Sequence, residues 1–419
     1  MPTTINTPSA SRGFLSTLLA LSVVFTFPLS ALADVVTDWN VIALKTFPQS
    51  VLGPSQARCL GIVHAAIYDA VNSIDRHYSP YKYEVKAALG ASLEAAVAQA
   101  ARDTLVGLFP DKQAAVDAAI ADSLKSIPDG QSKSDGIEVG KEVAKKALAD
   151  RLSDGADAKI PYTPGTTPSS WQPTPPNYLP PLLVQWGKIK PFMLKSPDQI
   201  SVPEPLSVTS AEYAKDIDEV RSLGAADSTR RSADQTAIAI FWTTTTSTPW
   251  NEVARDAAKE HNNSLVDNAR LFALLNMITS DSQVACWYFK YKYNFLRPVT
   301  AIHNASNLGN PGIKADQNWE PLIWTPAHPD YPAGHCAFSA SAARVLQDFF
   351  KTDKVKADVV YPAIFGMTRH WRSFSQISEE TNNARVWGGI HTRYAAVKAA
   401  DLGRQVADYC MAEYLQPIK

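Results

Sequence analysis

The sequence predicts a mainly α-helical protein of two packed helical bundles joined by a proline-rich irregular segment. Apolar residues recur at three- and four-residue spacing in residues 60–71, 91–108 and 137–152, and helical periodicity resumes after Ser210. Alternating, strand-like patterns are scarce. No short-period repeat is evident, which disfavours solenoids and propellers. Two bundles, one before and one after the proline-rich segment, are therefore the favoured architecture.

The first bundle is assigned to residues 34–160, where Asn72 and the Pro110-Asp111 pair act as turn signals. The second helical domain is assigned to residues 210–419. Its helices are predicted near 256–279, 280–293, 337–350 and 392–414.

Between these domains, residues 161–209 differ in composition. Twelve of the 29 prolines lie between Pro161 and Pro205. Four large aromatic residues are interleaved with them: Trp171, Tyr178, Trp186 and Phe192. A solvated linker has no need of such side chains, so we predict an irregular segment wrapped over a core. A flexible interdomain tether is the alternative.

The first 33 residues predict an export signal. Arg12 precedes an apolar run over residues 14–29, and Ala31-Leu32-Ala33 supplies a small-x-small cleavage pattern. An uncleaved membrane anchor is the alternative, but Pro28 and the short apolar run disfavour it. We expect cleavage before Asp34, and a mature protein that is periplasmic or secreted and does not associate with a membrane.

Composition excludes several classes of protein. The 419 residues carry 40 Lys and Arg against 41 Asp and Glu, and this balance argues against a nucleic-acid partner. Hydrophobic residues make up 45%, which excludes disorder for most of the chain. The four cysteines have no C-x-x-C spacing, so a zinc or thioredoxin-like motif is excluded, while disulfides and buried thiols both stay open: Cys59, Cys286, Cys336 and Cys410.

Three segments of the second domain carry residues suited to chemistry. Lys290 and Arg297-Pro298 follow an apolar helix, where the helix dipole alone would explain the cations. Pro332 and Gly334 shape a turn that leads into a helix, which leaves backbone N–H groups free to bind an anion. His335 at that turn can transfer a proton; an ordinary helix-starting turn is the alternative.

The third segment is Arg385 to His391. Arg385 offers a planar fork for two oxyanion oxygens, and His391 offers a ring nitrogen as nucleophile or ligand. Gly388-Gly389 is expected to let the backbone approach a ligand closely.

The order Lys290…Arg297-Pro298, Pro332-Ala-Gly-His335, Arg385-x5-His391 closely resembles the three-part signature of the vanadium-dependent haloperoxidase and type 2 phosphatidic acid phosphatase superfamily. The mature length is similar to that of the haloperoxidase branch. Residues 64–74 also look like N-terminal helices of the bacterial members.

The resemblance implies a role for each motif residue. Vanadate, or phosphate in the same site, would be held by four groups: Lys290, Arg297, Gly334 and Arg385. His391 would bind the vanadium, or attack phosphorus in a phosphatase, and His335 would be the acid–base residue. The resemblance places Trp287 and His328 at a halide site, although core packing for Trp287 and turn capping for His328 are equally good explanations.

The chain also departs from the superfamily pattern. Ala333 and Ala384 stand where serines are usual, and the first change removes a hydroxyl donor to the oxyanion. Phosphatases commonly have an aspartate four residues after the last histidine, where this chain has Ala395. Without a carboxylate to orient His391, a histidine nucleophile is disfavoured and the haloperoxidase branch is favoured.

These observations predict an exported haloperoxidase-like enzyme that oxidises bromide or chloride with hydrogen peroxide at vanadate, and acts on a small organic acceptor. A phosphomonoesterase with a His391 nucleophile and a non-catalytic oxyanion-binding protein are the alternatives. A homo-oligomer is compatible with the resemblance. The run Thr243–Thr246 is expected to form a turn or to line the entrance to the pocket, and the other histidines are expected to be structural: His64, His77, His261, His303 and His370.

Overall fold

The computed structural model describes residues 34–48, 50–361 and 367–418, and the predicted export signal at residues 1–33 lies outside them. From Asp34 to Lys419 the chain forms one compact unit. Its described part contains thirteen α-helices and one two-stranded hairpin, which confirms the all-α fold class.

The helices of the first part are α1 (Val35–Thr46), α2 (Gly53–Ile74), α3 (Leu93–Leu108), α4 (Gln113–Lys125) and α5 (Gln131–Arg151). Those of the second part are α6 (Ala211–Leu223), α7 (Ala233–Phe241), α8 (Ser247–Glu260), α9 (Leu265–Tyr293), α10 (Pro298–His303), α11 (Gly334–Phe350), α12 (Phe374–Trp387) and α13 (Arg393–Glu413).

The two sets of helices share one hydrophobic core. Helix α3 packs on α5, α2 packs on both α3 and α9, and α11 packs on α9 and α13. The buried apolar side chains of all these helices form a single cluster. The domain boundaries at residues 160 and 209 stay a prediction.

Helix α9 is the central element of this core. Its 29 residues form one helix where the sequence pattern predicts two. The Ser264 side chain caps its first turn by accepting from the N–H of Asp267, and the helix ends at Asn294, whose φ of 48° is left-handed. Lys290 lies in its last turn and is buried.

The segment of residues 161–209 is irregular, as predicted, apart from a short 3₁₀ turn at Trp186–Lys188. Trp186 and Phe192 are buried in the core cluster and Trp171 is also buried, whereas Tyr178 is 63% exposed. The buried carboxylate of Asp281 on α9 accepts the backbone N–H groups of residues 192–194, at 2.6, 2.6 and 2.8 Å. This part of the segment is therefore fixed on α9.

A β-hairpin that the sequence analysis does not predict precedes α12. Strand β1 (Lys354–Tyr361) pairs antiparallel with β2 (Met367–Ser373), with Ala357 opposite Trp371. Val355, Ala357 and Val359 are buried and alternate with exposed residues. This is the two-residue period of a half-buried strand.

All four cysteines are buried and free, which leaves no disulfide among them. No helix in the described ranges has the length and apolar character needed to cross a membrane.

Candidate active site

A cavity of about 320 Å³ opens at the start of α11, beside the end of α12 and the loop before α13. Six residues singled out from the sequence line it: Trp287, His328, Gly334, His335, Arg385 and His391. Lys290 and Arg297 do not line the cavity but lie directly behind its wall. The three sequence motifs, which span about a hundred residues, therefore meet at one place.

The start of α11 presents free backbone donors to this cavity. Its N-cap residue, Ala333, makes no side-chain hydrogen bond, so the N–H groups of the first turn, from Gly334 on, have no partner within the helix. A Cβ at Gly334 would lie 2.8 Å from the Trp287 ring. Glycine is thus required for the indole to pack on this turn.

Arg297 is fully buried and connects the walls of the cavity. It donates to the carbonyl oxygens of His328 and Ile390, at 2.8 and 2.7 Å. Its NH1 also lies 3.2 Å from Nε2 of His391. A guanidinium can only donate, so this Nε2 is an acceptor with its lone pair available.

Lys290 is also fully buried, behind the turn of residues 328–332. Its Nζ donates to the carbonyl oxygens of Pro329 and Asp330, at 2.9 and 3.1 Å. Burial, together with the charge of Arg297, lowers the pKa of Lys290 to about 8.

Arg385 completes a set of three buried cations. Its NH1 donates to the carbonyl oxygen of Trp242 at 2.5 Å, while its Nε is buried without a hydrogen-bond partner. Burial lowers the pKa of Arg385 to about 10. Within the described part of the chain, neither Lys290 nor Arg385 forms an ion pair, and the carboxylate of Asp330 lies 4.0 Å from Arg297. The site therefore has an excess of positive charge.

His391 is oriented by a carboxylate. Its Nδ1 lies 2.5 Å from Oδ1 of Asp330, whose Oδ2 accepts from the Thr392 hydroxyl at 3.2 Å. Because Arg297 donates to Nε2, the proton of the neutral ring is on Nδ1 and is donated to Asp330. Burial raises the pKa of Asp330, and the charges of Arg297 and Lys290 act in the opposite direction.

The expectation that His391 lacks an orienting carboxylate, drawn from Ala395, is therefore wrong. The carboxylate comes from a segment 61 residues earlier in the chain, because the turn before α11 packs against the start of α13. The sequence contained one signal, an acid in the middle motif two residues after His328. Nothing in the spacing, however, linked it to His391.

His335 lies in the first turn of α11 and is half-buried. Its Nε2 is 3.2 Å from the carbonyl oxygen of Thr244, so Nε2 carries the proton and donates it there. Burial, and then the charge of Arg385, lower the pKa of His335 well below its usual value. The ring is therefore neutral near pH 7 and can accept a proton on Nδ1.

Trp287 and His328 are neighbours, with ring centroids 5.2 Å apart. Nδ1 of His328 accepts from Arg297 at 3.1 Å, and burial lowers the pKa of His328 well below its usual value. Nε1 of Trp287 is buried and has no hydrogen-bond partner. A buried donor without a partner is costly unless a ligand accepts from it.

Gly388 and Gly389 do not serve close approach of a ligand, contrary to expectation. A Cβ at Gly388 would lie 2.6 Å from Cδ1 of Ile323, and one at Gly389 would lie 2.4 Å from the carbonyl oxygen of Gly224. Both positions are filled by protein. The pair instead lets the loop of Ile323 pack closely on the end of α12.

Part of the cavity wall was not predicted. Thr243–Thr246 line it, in keeping with one of the two expectations for this run, whereas residues 51–54, 182–183 and 323–326 carried no motif. Gln283 also lines it and donates to the carbonyl oxygen of Gly334 at 2.9 Å. The five remaining histidines do not line the cavity.

These groups suit an oxyanion. Free N–H groups at a helix start, an unpartnered Arg385 Nε and excess buried positive charge all favour a bound anion of tetrahedral or related shape. His391 adds a ring nitrogen whose lone pair could bind a vanadium atom.

Comparisons with known proteins agree with this geometry. The family model of the VCPO second helical-bundle domain matches residues 270–419, which contain all three motifs. Vanadium chloroperoxidase from Curvularia inaequalis is 24% identical to this chain, over 87% of the chain and 79% of the relative.

Two solved structures share the fold. A bacterial vanadium-dependent iodoperoxidase superposes with a TM-score of 0.76 at 23% identity, covering 92% of this chain and 96% of that one. An apo-type bacterial vanadium-dependent chloroperoxidase gives a TM-score of 0.71 at 17% identity, over 89% and 96%. The motifs predict a resemblance to the haloperoxidase-like branch of the vanadium-dependent haloperoxidase and type 2 phosphatidic acid phosphatase superfamily. The comparisons confirm this resemblance.

Proposed function

We propose that this protein is an exported haloperoxidase-like enzyme that oxidises bromide or chloride with hydrogen peroxide at vanadate bound to His391. The observation that carries the proposal is the excess of buried positive charge around a histidine whose Nε2 lone pair is available, in a cavity that also holds the unpartnered indole N–H of Trp287. The similarity to vanadium haloperoxidases supports it.

The residues present divide the work of holding the cofactor. Lys290, Arg297 and Arg385 neutralise the charge of the oxyanion, and the first-turn N–H groups of α11 donate to it. Asp330 keeps the proton of His391 on Nδ1, so Nε2 stays available as the ligand atom. Vanadate bound here would supply the Lewis acid that activates hydrogen peroxide toward halide.

His335 would take up the proton of the incoming peroxide. It is neutral, and its Nε2–H is held by the Thr244 carbonyl, which leaves Nδ1 as the accepting atom.

Trp287 and His328 would bind the halide. The unpartnered Nε1–H of Trp287 is a donor suited to a monoanion, and His328 lies directly beside it. Because His328 accepts from Arg297 on Nδ1, its Nε2 carries a proton and is a second donor.

A phosphomonoesterase is the second candidate, and the Asp330–His391 hydrogen bond favours it. His391 Nε2 would attack phosphorus while the bond from phosphorus to the leaving alkoxide breaks, and at acidic pH, where His335 is protonated, His335 would supply the proton to that alkoxide. Water would then hydrolyse the phosphohistidine, which returns phosphate and free His391.

One pair of assays on the purified mature protein separates the two candidates. After dialysis against vanadate, bromination of an activated diketone is followed with bromide and peroxide, and hydrolysis of p-nitrophenyl phosphate is followed in parallel. Bromination that requires vanadate and is suppressed by phosphate supports the haloperoxidase. Hydrolysis that vanadate inhibits supports the phosphatase, and activity in neither assay contradicts both.

His335→Ala tests the proton acceptor. Bromination should fall by about a hundredfold or more while vanadate stays bound, because a general base contributes about 10²–10⁴ in rate. His77→Ala is the matched control, since His77 is exposed and far from the cavity lining. Unchanged turnover of His335→Ala would contradict its role.

Export is part of the same proposal and rests on the sequence pattern of residues 1–33. N-terminal sequencing of protein recovered outside the cytoplasm should begin at Asp34. Protein that retains residues 1–33 would contradict it.

A further inference from the structure

The cavity has a polar inner end and an apolar outer end. At the inner end, Arg385 and His391 are almost completely buried. Toward solvent the exposure rises, to 40% for Leu52 and 48% for Trp324. We define the apolar mouth as the six aliphatic and aromatic residues of this outer end: Val51, Leu52, Leu182, Leu183, Ile323 and Trp324.

We propose that the apolar mouth binds the organic acceptor, an uncharged, largely apolar or aromatic molecule of one or two rings, so that halogenation takes place on a bound substrate. This inference rests on the proposed function, which it deepens by naming the substrate class.

Trp324 is the first argument. Its indole is 48% exposed and lines the same cavity as the 40% exposed side chain of Leu52, and exposed apolar side chains that share one cavity are typical of a binding site. Its loop is held by backbone hydrogen bonds, from the N–H of Leu322 to the Gly224 carbonyl at 2.9 Å and from the N–H of Ile323 to the Gly388 carbonyl at 3.1 Å. Trp324 is thus an exposed aromatic surface on a fixed loop, which loses little freedom when a ring packs against it.

Leu183 is the second argument. Its φ is 58°, in the left-handed region that residues other than glycine rarely adopt. The preceding residue is fixed from both sides: the N–H of Leu182 donates to Ala327 at 2.8 Å, and its carbonyl accepts from the Tyr291 hydroxyl at 2.5 Å. These bonds hold the Leu183 side chain in the wall despite an unfavourable backbone, and such conformations cluster at binding sites.

The charges at the cavity define the chemical class of the ligand. Among the described residues that line it, Arg385 at the inner end is the one with a full positive charge, and none is acidic. A cationic acceptor would find no partner there, and an anionic one would compete with the oxyanion. The volume of about 320 Å³ is at the small end for ligand sites and limits the acceptor to one or two rings.

The chemistry balances with the reactants already named. Halide loses two electrons to hydrogen peroxide, and with one proton this gives hypohalous acid and water. The bound acceptor then exchanges one C–H bond for a C–halogen bond, and the proton and the hydroxyl group of the hypohalous acid leave as water. The ring carbon that faces the inner end would be the one halogenated.

Binding can be measured without any turnover. 2-Naphthol is titrated by calorimetry into the vanadate-free protein, in the wild type and in two variants of the mouth, Trp324→Ala and Leu183→Gly. Glycine adopts a φ of 58° freely, so Leu183→Gly removes the side chain and keeps the backbone. Leu152→Ala is the control, because Leu152 is 83% exposed and lies away from the cavity.

We expect saturable binding that each mouth variant weakens about tenfold and Leu152→Ala leaves unchanged. The absence of saturable binding, or equal affinities in all four proteins, would overturn the proposal. Because neither halide, peroxide nor vanadate is present, a failure of the proposed function leaves this measurement unaffected. Conversely, vanadate-dependent bromination without naphthol binding would support the function and refute the acceptor site.

Discussion

Asp330→Asn tests the arrangement on which the chemistry of His391 depends. In the wild type the carboxylate accepts from Nδ1 of His391 at 2.5 Å and from the Thr392 hydroxyl at 3.2 Å. Asparagine keeps the shape and volume but loses the charge, and its NH₂ group can donate to Nδ1. The proton of His391 would then move to Nε2, the atom that we propose as the vanadium ligand.

Two effects of this substitution oppose each other. Replacing the carboxylate by an amide removes the charged acceptor that keeps the proton of His391 on Nδ1, and the loss of this charged hydrogen bond weakens binding to Nε2 by about 1–2 kcal/mol, or about five- to thirtyfold in affinity. Removing a negative charge near Arg297 also makes the site more positive, which strengthens binding of any oxyanion. Vanadate binding responds to both effects, whereas phosphate, bound without a bond to His391, responds to the charge alone.

The assay is therefore calorimetric titration of wild type and variant with vanadate and, separately, with phosphate. We expect the ratio of vanadate affinity to phosphate affinity to fall by about five- to thirtyfold. Asp358→Asn is the matched control, because it alters an exposed carboxylate–histidine pair, with His370, at 2.8 Å. If both anions shift by the same factor in Asp330→Asn, the orientation of His391 does not depend on Asp330 and the reasoning is refuted.

Two further predictions concern stability. Burial lowers the pKa of His64 to about 3 in the folded chain, whereas the ordinary value of 6.5 applies to the unfolded chain. Below pH 6.5 the unfolded chain therefore takes up a proton that the folded chain does not bind. Between pH 7 and pH 5 the wild type should lose about 2 kcal/mol of unfolding free energy relative to His64→Gln, measured in urea, and parallel pH profiles would contradict this. Gly389→Ala should lower the unfolding free energy by about 3–4 kcal/mol, because the new Cβ would meet the Gly224 carbonyl at 2.4 Å in a backbone of φ 80°. Gly90→Ala shares that φ but has open space around it and should cost about 1–2 kcal/mol; equal losses would show that the contact with Gly224 has no effect.

The helices could be predicted from the sequence because most of them bury one face and expose the other. Helix α9 could not be delimited in this way, since it buries Ser280, Asp281 and Ser282 in its middle and so lacks a polar, exposed face there. The hairpin was missed although Val355, Ala357 and Val359 alternate with exposed residues. One short alternating segment is a weak signal in a chain whose other segments show helical periodicity.

The motif residues of the cavity could be singled out because their order and spacing resemble the three-part superfamily signature. Asp330 could not, since its role depends on a contact across 61 residues. The apolar mouth could not either: Leu52, Leu183 and Trp324 come from three separate segments, and an apolar residue in a loop has no signature of its own. The Gly388-Gly389 pair was predicted to let the backbone approach a ligand closely. That prediction was wrong because a sequence does not show that other protein atoms fill the space beside the two glycines.

The carboxylate of Asp281 accepts hydrogen bonds from the backbone N–H groups of residues 192–194. Such a contact is indifferent to the identity of the side chains it holds. Homologues could therefore exchange these three residues for others that still fill the core, and the neighbouring wall of the cavity could diverge, while the attachment to α9 stays the same. Proline is the one residue that this attachment forbids, because it has no N–H to donate, in a segment where proline is otherwise abundant.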